Sequence, residues 1–484
     1  MESLKGLKPE LVWSIFEQIC QVPRPSKKEE KIAAFLMNFA VKHNLKAKQD
    51  EVGNVLISGP ATPGKENVPT IVLQAHMDMV CEKNSDVQHD FDKDPIQPYI
   101  DGEWVKAKGT TLGADDGVGI AAGLAVLTST DLEHGPIECL FTVDEETGLT
   151  GAFAIKPNFF TGNILLNLDS EDEGEMFIGC AGGVDTEINL PYKEEATKTS
   201  DFAVKLSIKG LAGGHSGDDI NKGKANAIKV LNKFIWDINK KYEVRVVKFE
   251  GGNLRNAIAR EANAIIVFEA RHKEDIRIAF NTYAVEMEYV WKLTEPNIKM
   301  DLQSCPVPEM AMTPKDSTNF LNAIYAAPHG VFSMSSRMPG MVETSTNLAS
   351  VKFNKKGNIY ITTSQRSDLD SEKYNIAGMV TSVFELAGAE VKQTEPYPGW
   401  APNTDSKILT VLVDSYKKLF GKKPVVRSIH AGLECGLFLE KYPNMDMVSF
   451  GPTLKGVHSP DEKINIKTVE MWWSHLTDVL KNIK

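Results

Sequence analysis

Short apolar runs that alternate with longer amphipathic stretches constrain the fold of this chain more than any other feature. The runs TIVLQAH at 70–76, PIECLFTVDEE at 136–146 and GNILLNLDS at 162–170 have the length of buried strands, and a Gly/Ala-rich helical stretch follows Gly119. Runs that stay apolar, rather than alternating with polar residues, are typical of strands buried in a parallel sheet. The pattern predicts an α/β domain with a mostly parallel sheet flanked by helices.

Two helical patterns precede these strands. Ser26 and Glu29 have the spacing of a capping box, in which a Ser and a Glu three residues later bond the first N–H groups of a helix. The apolar run IAAFLMNFA at 32–40 follows directly. We therefore expect the second helix to begin with this box.

The pattern changes near Thr186. From 186 to 394 the predicted order is strand, helix, two strands, helix and strand, followed by helix, two strands, helix and strand, with a turn at Lys355-Lys356-Gly357. This order predicts α+β structure in two similar halves, although their identity is too low to establish a duplication. After the Pro-rich EPYPGWAPN at 395–403, the pattern completes the first sheet. We therefore predict one domain in two parts, 1–185 and 395–484, interrupted by an inserted domain at 186–394.

Composition and charge indicate which partners and which cellular compartment to expect. The 54 basic and 65 acidic residues give a net charge of −11, which disfavours nucleic acid as a partner. No apolar stretch approaches the roughly 20 residues that span a bilayer, and the start lacks the features of a signal peptide. The six cysteines form no CxxC pair and lie mostly in apolar stretches, as buried thiols do. We expect a cytoplasmic protein without a membrane partner.

Three apolar runs end on residue types that bind metals: His76-Met77-Asp78, Glu145-Glu146 and Asp169. Open α/β sheets place ligands at the carboxyl ends of their strands, so the three endings can converge on one crevice. Taken alone, a His-x-Asp match is weak. Residues two apart on a strand point the same way, however, so Asp78 can lie behind His76 and accept the proton of its second ring nitrogen.

The acidic pair Glu145-Glu146 has two interpretations. It is either a solvated turn or a functional pair whose adjacent side chains face opposite sides, one holding a metal while the other moves a proton. Asp169 is likewise either a strand terminator or a ligand. The presence of His76 at the same predicted edge favours the functional interpretation of both.

Two further candidates lie on loops. Asp115 lies between Gly113 and Gly117 ahead of a predicted helix, where it is either a cap or an oxygen ligand close enough to serve two metals. His458 lies between the last predicted strand and helix, where it is either merely exposed or a ligand. Imidazole and carboxylate without thiolate suit Zn²⁺, Co²⁺ or Mn²⁺ in an open hydrolytic site. One bridging carboxylate fits two cations about 3.5–4 Å apart.

These motifs, in this order, resemble the signature set of the M20 metallopeptidases. The matching segments are HMD at 76–78, LGADDG at 112–117, DEETG at 144–148, LDSEDEGE at 168–175, GGHSG at 213–217 and GVHS at 456–459. The segments CAGG at 180–183, NLRNAI at 253–258 and HAGLECG at 430–436 resemble the aminoacyl-histidine dipeptidase branch of that family. The resemblance covers essentially the whole chain.

The resemblance implies a role for each candidate near the metals. One cation would be held by His76, Asp115 and Asp169, and the other by Asp115, Glu146 and His458. Glu145 would be the general base that takes a proton from a metal-bound water and returns it to the leaving amine, and Asp78 would support the metal site. A cis peptide bond after Asp115 is also implied.

The resemblance further implies that the inserted domain is a lid. His215 would donate to the oxyanion, Asn256 and Arg366 would bind substrate, and Gly432 would border the pocket. The competing interpretations are a simple turn around His215 and a surface charge at Arg366. Closure of the lid would complete the site. Lids dimerise in shorter relatives, whereas one half of this larger insert can replace the partner's lid, so a monomer and a homodimer both remain open.

The function implied is di-metal hydrolysis of dipeptides with free termini, including Xaa-His dipeptides. Zn²⁺ is the expected metal, with Co²⁺ and Mn²⁺ as alternatives. An aminoacylase or carboxypeptidase of the same family is the nearest alternative, and cleavage of acetylated amino acids would favour it. A catalytically silent peptide-binding scaffold is the alternative from another class, and absence of bound metal and of hydrolysis would favour that.

Overall fold

The computed structural model describes residues 3–354 and 357–484, so Lys355 and Lys356 of the predicted turn lie outside the described residues. The chain forms two compact units. The first unit comprises Met1–Gly179, Pro402–Ser428 and Leu433–Lys484, and the second comprises Cys180–Ala401 and Ile429–Gly432.

The helices, in chain order, are α1 (Glu10–Cys20), α2 (Glu30–Lys42), α3 (Ala114–Thr128), α4 (Glu145–Gly148), α5 (Thr150–Ala154), α6 (Ala227–Tyr242), α7 (Lys273–Val290), α8 (Pro314–Ala326), α9 (Asp370–Leu386), α10 (Lys407–Phe420), α11 (Glu434–Lys441) and α12 (Ile466–Asn482). The strands are β1 (Lys46–Gln49), β2 (Val55–Gly59), β3 (Ile71–His76), β4 (Pro98–Asp101), β5 (Trp104–Ala107), β6 (Ile137–Thr142), β7 (Ile164–Asn167), β8 (Glu175–Cys180), β9 (Gly182–Pro191), β10 (Glu194–Ala196), β11 (Asp201–Lys209), β12 (Arg245–Gly251), β13 (Ala262–Glu269), β14 (Lys299–Cys305), β15 (Met310–Met312), β16 (Gly330–Met334), β17 (Val342–Phe353), β18 (Asn358–Ser367), β19 (Glu390–Gln393), β20 (Val425–Ile429), β21 (Asp446–Ser449), β22 (Leu454–Lys455) and β23 (Lys463–Asn465).

The first unit is built on a sheet with the strand order β1-β2-β6-β3-β7-β21-β8-β20. The four strands β6, β3, β7 and β21 are parallel, and β1, β2 and β8 join antiparallel. The predicted α/β class is confirmed. The prediction of a mostly parallel sheet is right for the central strands and wrong at the edges, because β1 and β2 form a hairpin and hairpin partners are antiparallel.

Every residue of β3 and β6 is buried, as their mainly apolar runs predict, and the buried set includes the polar Gln74 and Glu138. Helix α3 packs against β3, and its Gly123 lies so close to the sheet that an added Cβ would be 3.2 Å from Cys139 Sγ. The parallel register pairs Ile71 of β3 with both Ile137 of β6 and Ile164 of β7. The carboxyl ends of the three strands therefore lie along one edge.

The second unit contains an antiparallel sheet with the order β14-β11-β13-β12-β17-β18-β9-β19, and β16 pairs with β17. Its first half runs β11-α6-β12-β13-α7-β14 along the chain. Its second half runs α8-β17-β18-α9-β19 and takes β9 as its first strand, although β9 precedes the first half in sequence. Both halves then have the same strand order, and they join where Gly251 of β12 pairs with Val351 of β17.

The predicted capping box is wrong. Helix α2 begins at Glu30, and Glu29 makes no side-chain cap. The Ser26 hydroxyl instead donates to Asp78 Oδ2 at 2.8 Å, and Glu29 Oε1 accepts from the backbone N–H groups of Lys27 and Asp144. Both side chains serve tertiary contacts that short-range spacing does not reveal.

Four of the six cysteines are buried, and Cys81 and Cys305 are partly exposed. In the part of the chain that the structure describes, no helix has the length and apolar character needed to cross a membrane.

Candidate active site

The carboxyl-terminal edge of the first unit's sheet gathers the predicted metal-binding residues. His76 is the last residue of β3, and Asp169 follows β7 by two residues. Glu145 and Glu146 start helix α4, not the end of a strand, because β6 stops at Thr142. The His76 ring is buried, and its Nε2 atom lies 2.9 Å from Asp115 Oδ1 and 3.4 Å from Asp169 Oδ1.

A second group of donor atoms adjoins the first through Asp115. His458 Nε2 lies 3.2 Å from Asp115 Oδ2 and 3.0 Å from Glu146 Oε2. The donor atoms of His76, Asp115 and Asp169 lie within 4.8 Å of one another, as do those of Asp115, Glu146 and His458. The atoms of His76, Glu145 and Glu146 form another such set. The two oxygens of Asp115 thus face two different histidines.

Asp78 contacts both the His76 ring and the start of helix α4. Its Oδ1 lies 3.3 Å from His76 Nδ1, and the other ring nitrogen, Nε2, faces Asp115 and Asp169. The same carboxylate accepts the backbone N–H groups of Glu145 and Glu146 at 3.0 and 3.2 Å, besides the Ser26 hydroxyl. Burial acts to raise the pKa of Asp78, but the hydrogen bond and charge of His76 outweigh it and lower that pKa. Asp78 therefore ties the ring of His76 to the start of α4.

The loop that carries Asp115 is clamped from two sides. The buried carboxylate of Glu462 accepts the backbone N–H groups of residues 112, 113 and 114 at 2.7, 3.0 and 2.8 Å, and that of residue 115 at 3.4 Å. Arg24, also buried, donates to the carbonyl oxygens of Met77 and Asp78 at 3.0 and 2.6 Å and to that of Gly113. The peptide bond after Asp115 is cis, as the family resemblance implied.

The electrostatics of the site fit bound cations. Burial raises the pKa of Glu145 well above its usual value and that of Asp169 to about 7. Hydrogen bonds to Asp115 and Glu146 raise the pKa of His458 to about 11. Glu146 Oε1 is buried and has no hydrogen-bond partner among the described residues. Clustered carboxylates with imidazoles and no thiolate are a donor set that suits divalent zinc, cobalt or manganese.

The remaining predicted residues lie in the second unit. His215 Nδ1 accepts the backbone N–H groups of Gly217 and Asp218 at 3.3 and 3.2 Å. Burial and the charge of Arg366 lower the pKa of His215, which favours the neutral ring. Because Nδ1 accepts two N–H groups, the proton of the neutral ring is on Nε2. Asn256 is exposed, and its backbone carbonyl accepts from Ser216 at 2.8 Å.

Arg366 and Gly432 meet at Tyr397. Arg366 is only 8% exposed, and its Nη1 donates to the Tyr397 hydroxyl at 3.1 Å. A Cβ added at Gly432 would lie 3.0 Å from the Tyr397 ring. The interpretation of Arg366 as a surface charge is therefore wrong, because the β18 strand places it in the interior of the second unit.

Residues 72–482 match the family model described as peptidase family M20/M25/M40. The chain belongs to the M20 peptidase family. This M20 peptidase is 44% identical over 483 residues to the cytosol non-specific dipeptidase of Escherichia coli (strain K12), covering 100% of this chain and 99% of that one. The crystal structure of the aminoacylhistidine dipeptidase from Vibrio alginolyticus superposes with a TM-score of 0.92 at 44% identity, covering 100% and 99% of the two chains. The aminopeptidase PepT structure from Bacillus cereus ATCC 10987 shares the fold, with a TM-score of 0.57 at 17% identity over 99% of each chain. The M20 peptidase is thus a hydrolase acting on peptide bonds.

Several buried charged residues around the candidate metal ligands of this M20 peptidase were not predicted from the sequence. Glu434 Oε2 accepts from Gln74 Nε2 at 2.6 Å and from Thr142 Oγ1 at 2.8 Å, and burial raises its pKa to about 8. Burial likewise raises the pKa of Glu171 to about 8. Glu434 stands in an otherwise small or apolar segment, AGLECGLFL at 431–439, which is the signal that could have drawn attention to it. Glu462 and Arg24 bind backbone groups and leave no pairing signal in the sequence.

Proposed function

We propose that this M20 peptidase hydrolyses dipeptides with free termini, Xaa-His dipeptides among them, at a pair of divalent cations. The observation that carries this proposal is the placement of Asp115, whose two carboxylate oxygens face His76 and His458. One carboxylate shared by two donor groups is the arrangement expected of a two-metal hydrolytic site. The substrate class is supported by two relatives, each 44% identical over the full chain, whose names describe dipeptidases.

The proposed ligands of one cation are His76, Asp115 and Asp169, and those of the other are Asp115, Glu146 and His458. Zn²⁺ is the proposed metal because imidazole and carboxylate suit it, and Co²⁺ or Mn²⁺ can take its place. Bound cations supply Lewis acidity and lower the pKa of water. The two sites share Asp115, so the loop that carries it has to be held rigidly.

Glu145 is the proposed general base. It adjoins the ligand Glu146 at the start of α4, where Asp78 accepts both backbone N–H groups. Successive helical residues project about 100° apart, so one carboxylate can bind metal while the other stays available for protons. Burial raises the pKa of Glu145, which favours both uptake of a proton from water and its return to the leaving amine.

The segment 186–394 is proposed to be a lid domain inserted between the two parts of the catalytic domain, 1–185 and 395–484. Because backbone N–H groups occupy Nδ1 of His215, its Nε2–H is available to donate to the oxyanion. Arg366 is proposed to bind the free substrate carboxylate, with Asn256 assisting and Gly432 bordering the pocket. Lid closure would complete the site.

The two halves of the second unit are joined through β12 and β17 within one chain. We propose that one half takes the place that a partner's lid occupies in shorter relatives. This arrangement is compatible with a monomer and with a homodimer, which sedimentation equilibrium distinguishes. The proposed location is the cytoplasm, in line with the name of the Escherichia coli relative.

The test is an assay of the metal-stripped protein on alanyl-alanine, alanyl-histidine and N-acetyl-alanine. We expect no hydrolysis after chelation, and restored hydrolysis of the two dipeptides when Zn²⁺, Co²⁺ or Mn²⁺ is returned. Preferential cleavage of N-acetyl-alanine would show that the protein is an aminoacylase and not a dipeptidase. A protein that binds no divalent metal and hydrolyses nothing would be a scaffold.

A further inference from the structure

The buried guanidinium of Arg366 lacks an acidic partner. It is 8% exposed, and no carboxylate of the described residues lies within ion-pair distance of it. Its Nε is buried without a hydrogen-bond acceptor in the described part of the chain. Burying an unpaired charge is costly, so a protein that keeps one has a use for it. Arg366 is therefore prepared for an anionic ligand.

Tyr397 determines which part of the guanidinium is left for that ligand. Its hydroxyl accepts from Arg366 Nη1 at 3.1 Å. A guanidinium presents five N–H donors in a fixed plane, and a carboxylate binds two of them side by side. With Nη1 occupied by Tyr397, the edge formed by Nε and Nη2 remains for a carboxylate.

The structure holds Tyr397 rigidly. Its backbone N–H and C=O groups exchange hydrogen bonds with Gly183 at 2.9 and 3.0 Å, and the buried Lys373 donates to its carbonyl at 2.8 Å. An added Cβ would lie 2.5 Å from the ring at Gly183 and 3.0 Å from it at Gly432. A side chain at Gly183 would force the ring to move, and one at Gly432 would press it by a few tenths of an ångström. Glycine in the CAGG and HAGLECG segments therefore leaves the ring where it lies.

His430 adds no charge beside Arg366. Its Nε2 atom lies 2.7 Å from Ser345 Oγ, and the ring is 7% exposed. Burial, together with the charges of Arg366 and His215, lowers the pKa of His430 to about 3. His430 is therefore neutral near pH 7. Of the cations around Tyr397, Lys373 pairs with Asp370 and Arg255 pairs with Asp185, each at 2.7 Å. Arg366 is left without a carboxylate partner among the described residues, which matches a ligand with one carboxylate.

We propose that Tyr397 is a positioning residue for the terminal carboxylate of the substrate. It holds Nη1 of Arg366 and thereby turns the rest of the guanidinium toward that carboxylate. This inference rests on the proposed function, in which Arg366 binds the free carboxylate. Its consequence is specificity, because a dipeptide amide gains nothing from an oriented guanidinium.

The experiment compares Tyr397→Phe with the wild type on alanyl-alanine and on alanyl-alanine amide. We expect KM for the free dipeptide to rise about 10-fold, because a hydrogen bond to a charged group is lost, while kcat changes less than about twofold. Both parameters for the amide are expected to stay within about twofold. Tyr360→Phe is the matched control, since Tyr360 lies on β18, the strand that carries Arg366, and its hydroxyl bonds Glu187 instead.

Two further variants separate positioning from general damage. Gly183→Ala presses a Cβ on the Tyr397 ring and should also raise KM for the free dipeptide while leaving hydrolysis of the amide unchanged. In a protein that already carries Arg366→Ala, adding Tyr397→Phe should change neither KM nor kcat further, because Tyr397 acts through Arg366. Equal losses on dipeptide and amide, a fall in kcat alone, or an additive double variant would overturn the inference. If the wild type hydrolyses neither substrate with metal supplied, the proposed function itself fails.

Discussion

Replacing Glu462 with alanine removes the carboxylate that holds the loop of Asp115. Glu462 is 2% exposed and accepts three backbone N–H groups at 2.7 to 3.0 Å and a fourth at 3.4 Å. A buried N–H that loses its acceptor costs about 1–3 kcal/mol, so the three short bonds together amount to about 3–9 kcal/mol. The alanine variant no longer buries a carboxylate, and this offsets part of the loss of stability. The cost of burying the carboxylate is reflected in the raised pKa of Glu462. We expect a net loss of about 2–4 kcal/mol in the free energy of unfolding.

The same change should weaken metal binding, because both proposed cation sites use Asp115. Loss of a residue that orients a ligand typically lowers metal affinity about 10- to 100-fold. Urea denaturation of the chelated protein measures the stability, and competition with a chromophoric chelator measures the affinity. Glu462→Gln, which keeps one acceptor oxygen, should fall between alanine and wild type.

Glu470→Ala, on helix α12 shortly after Glu462 in the chain, is the matched control, since the Glu470 side chain is 47% exposed and pairs with Lys467 at the surface. It should change stability by less than about 0.5 kcal/mol and leave metal affinity unchanged. If Glu462→Ala binds metal as tightly as Glu470→Ala, the carboxylate does not position Asp115 and the reasoning is refuted.

The remaining predictions concern catalysis and pH. Glu145→Gln should lower kcat by about 10²- to 10⁴-fold while metal analysis finds the same metal content, and an undiminished kcat would exclude it as the base. His215→Ala should lower kcat by about 10²-fold or more with metal content unchanged, and an unaltered kcat would remove it from the oxyanion role. Burial lowers the pKa of His475 to about 4, so on acidification below pH 6.5 the unfolded chain binds a proton that the native state does not. Stability should therefore fall by about 1.4 kcal/mol per pH unit from this residue between about pH 6.5 and 4, and His475→Gln should show a shallower decline of the urea midpoint; equal slopes would contradict this assignment.

The sequence predicts best where local pattern and tertiary position agree. The strands that end near His76 and Asp169 can be predicted because strands buried on both faces form mainly apolar runs. The capping box failed because Ser26 and Glu29 bond partners far along the chain. Short-range spacing contains no information on such partners.

Two other features were beyond prediction for the same reason. Strand β9 belongs to the second half of its unit, but strand pairing is not encoded in the periodicity of either strand. The roles of Glu462 and Arg24 depend on backbone N–H and C=O groups, which every residue has, so no residue type marks their partners. The candidate metal ligands, by contrast, are side chains of restricted type, and their order in the sequence predicts them.

The displaced position of β9 has a consequence during synthesis. Its main neighbour, β18, is made roughly 170 residues later, and residues appear at about 5–20 per second, so β9 waits about 10–30 s on the ribosome for its partner. The first half, whose strands are neighbours in sequence, can form in that interval. During this interval a nascent chain has an unpaired β9 next to the folded first half of the second unit. The exposed strand can then pair with other chains, so this is the stage at which the nascent chain needs protection from aggregation.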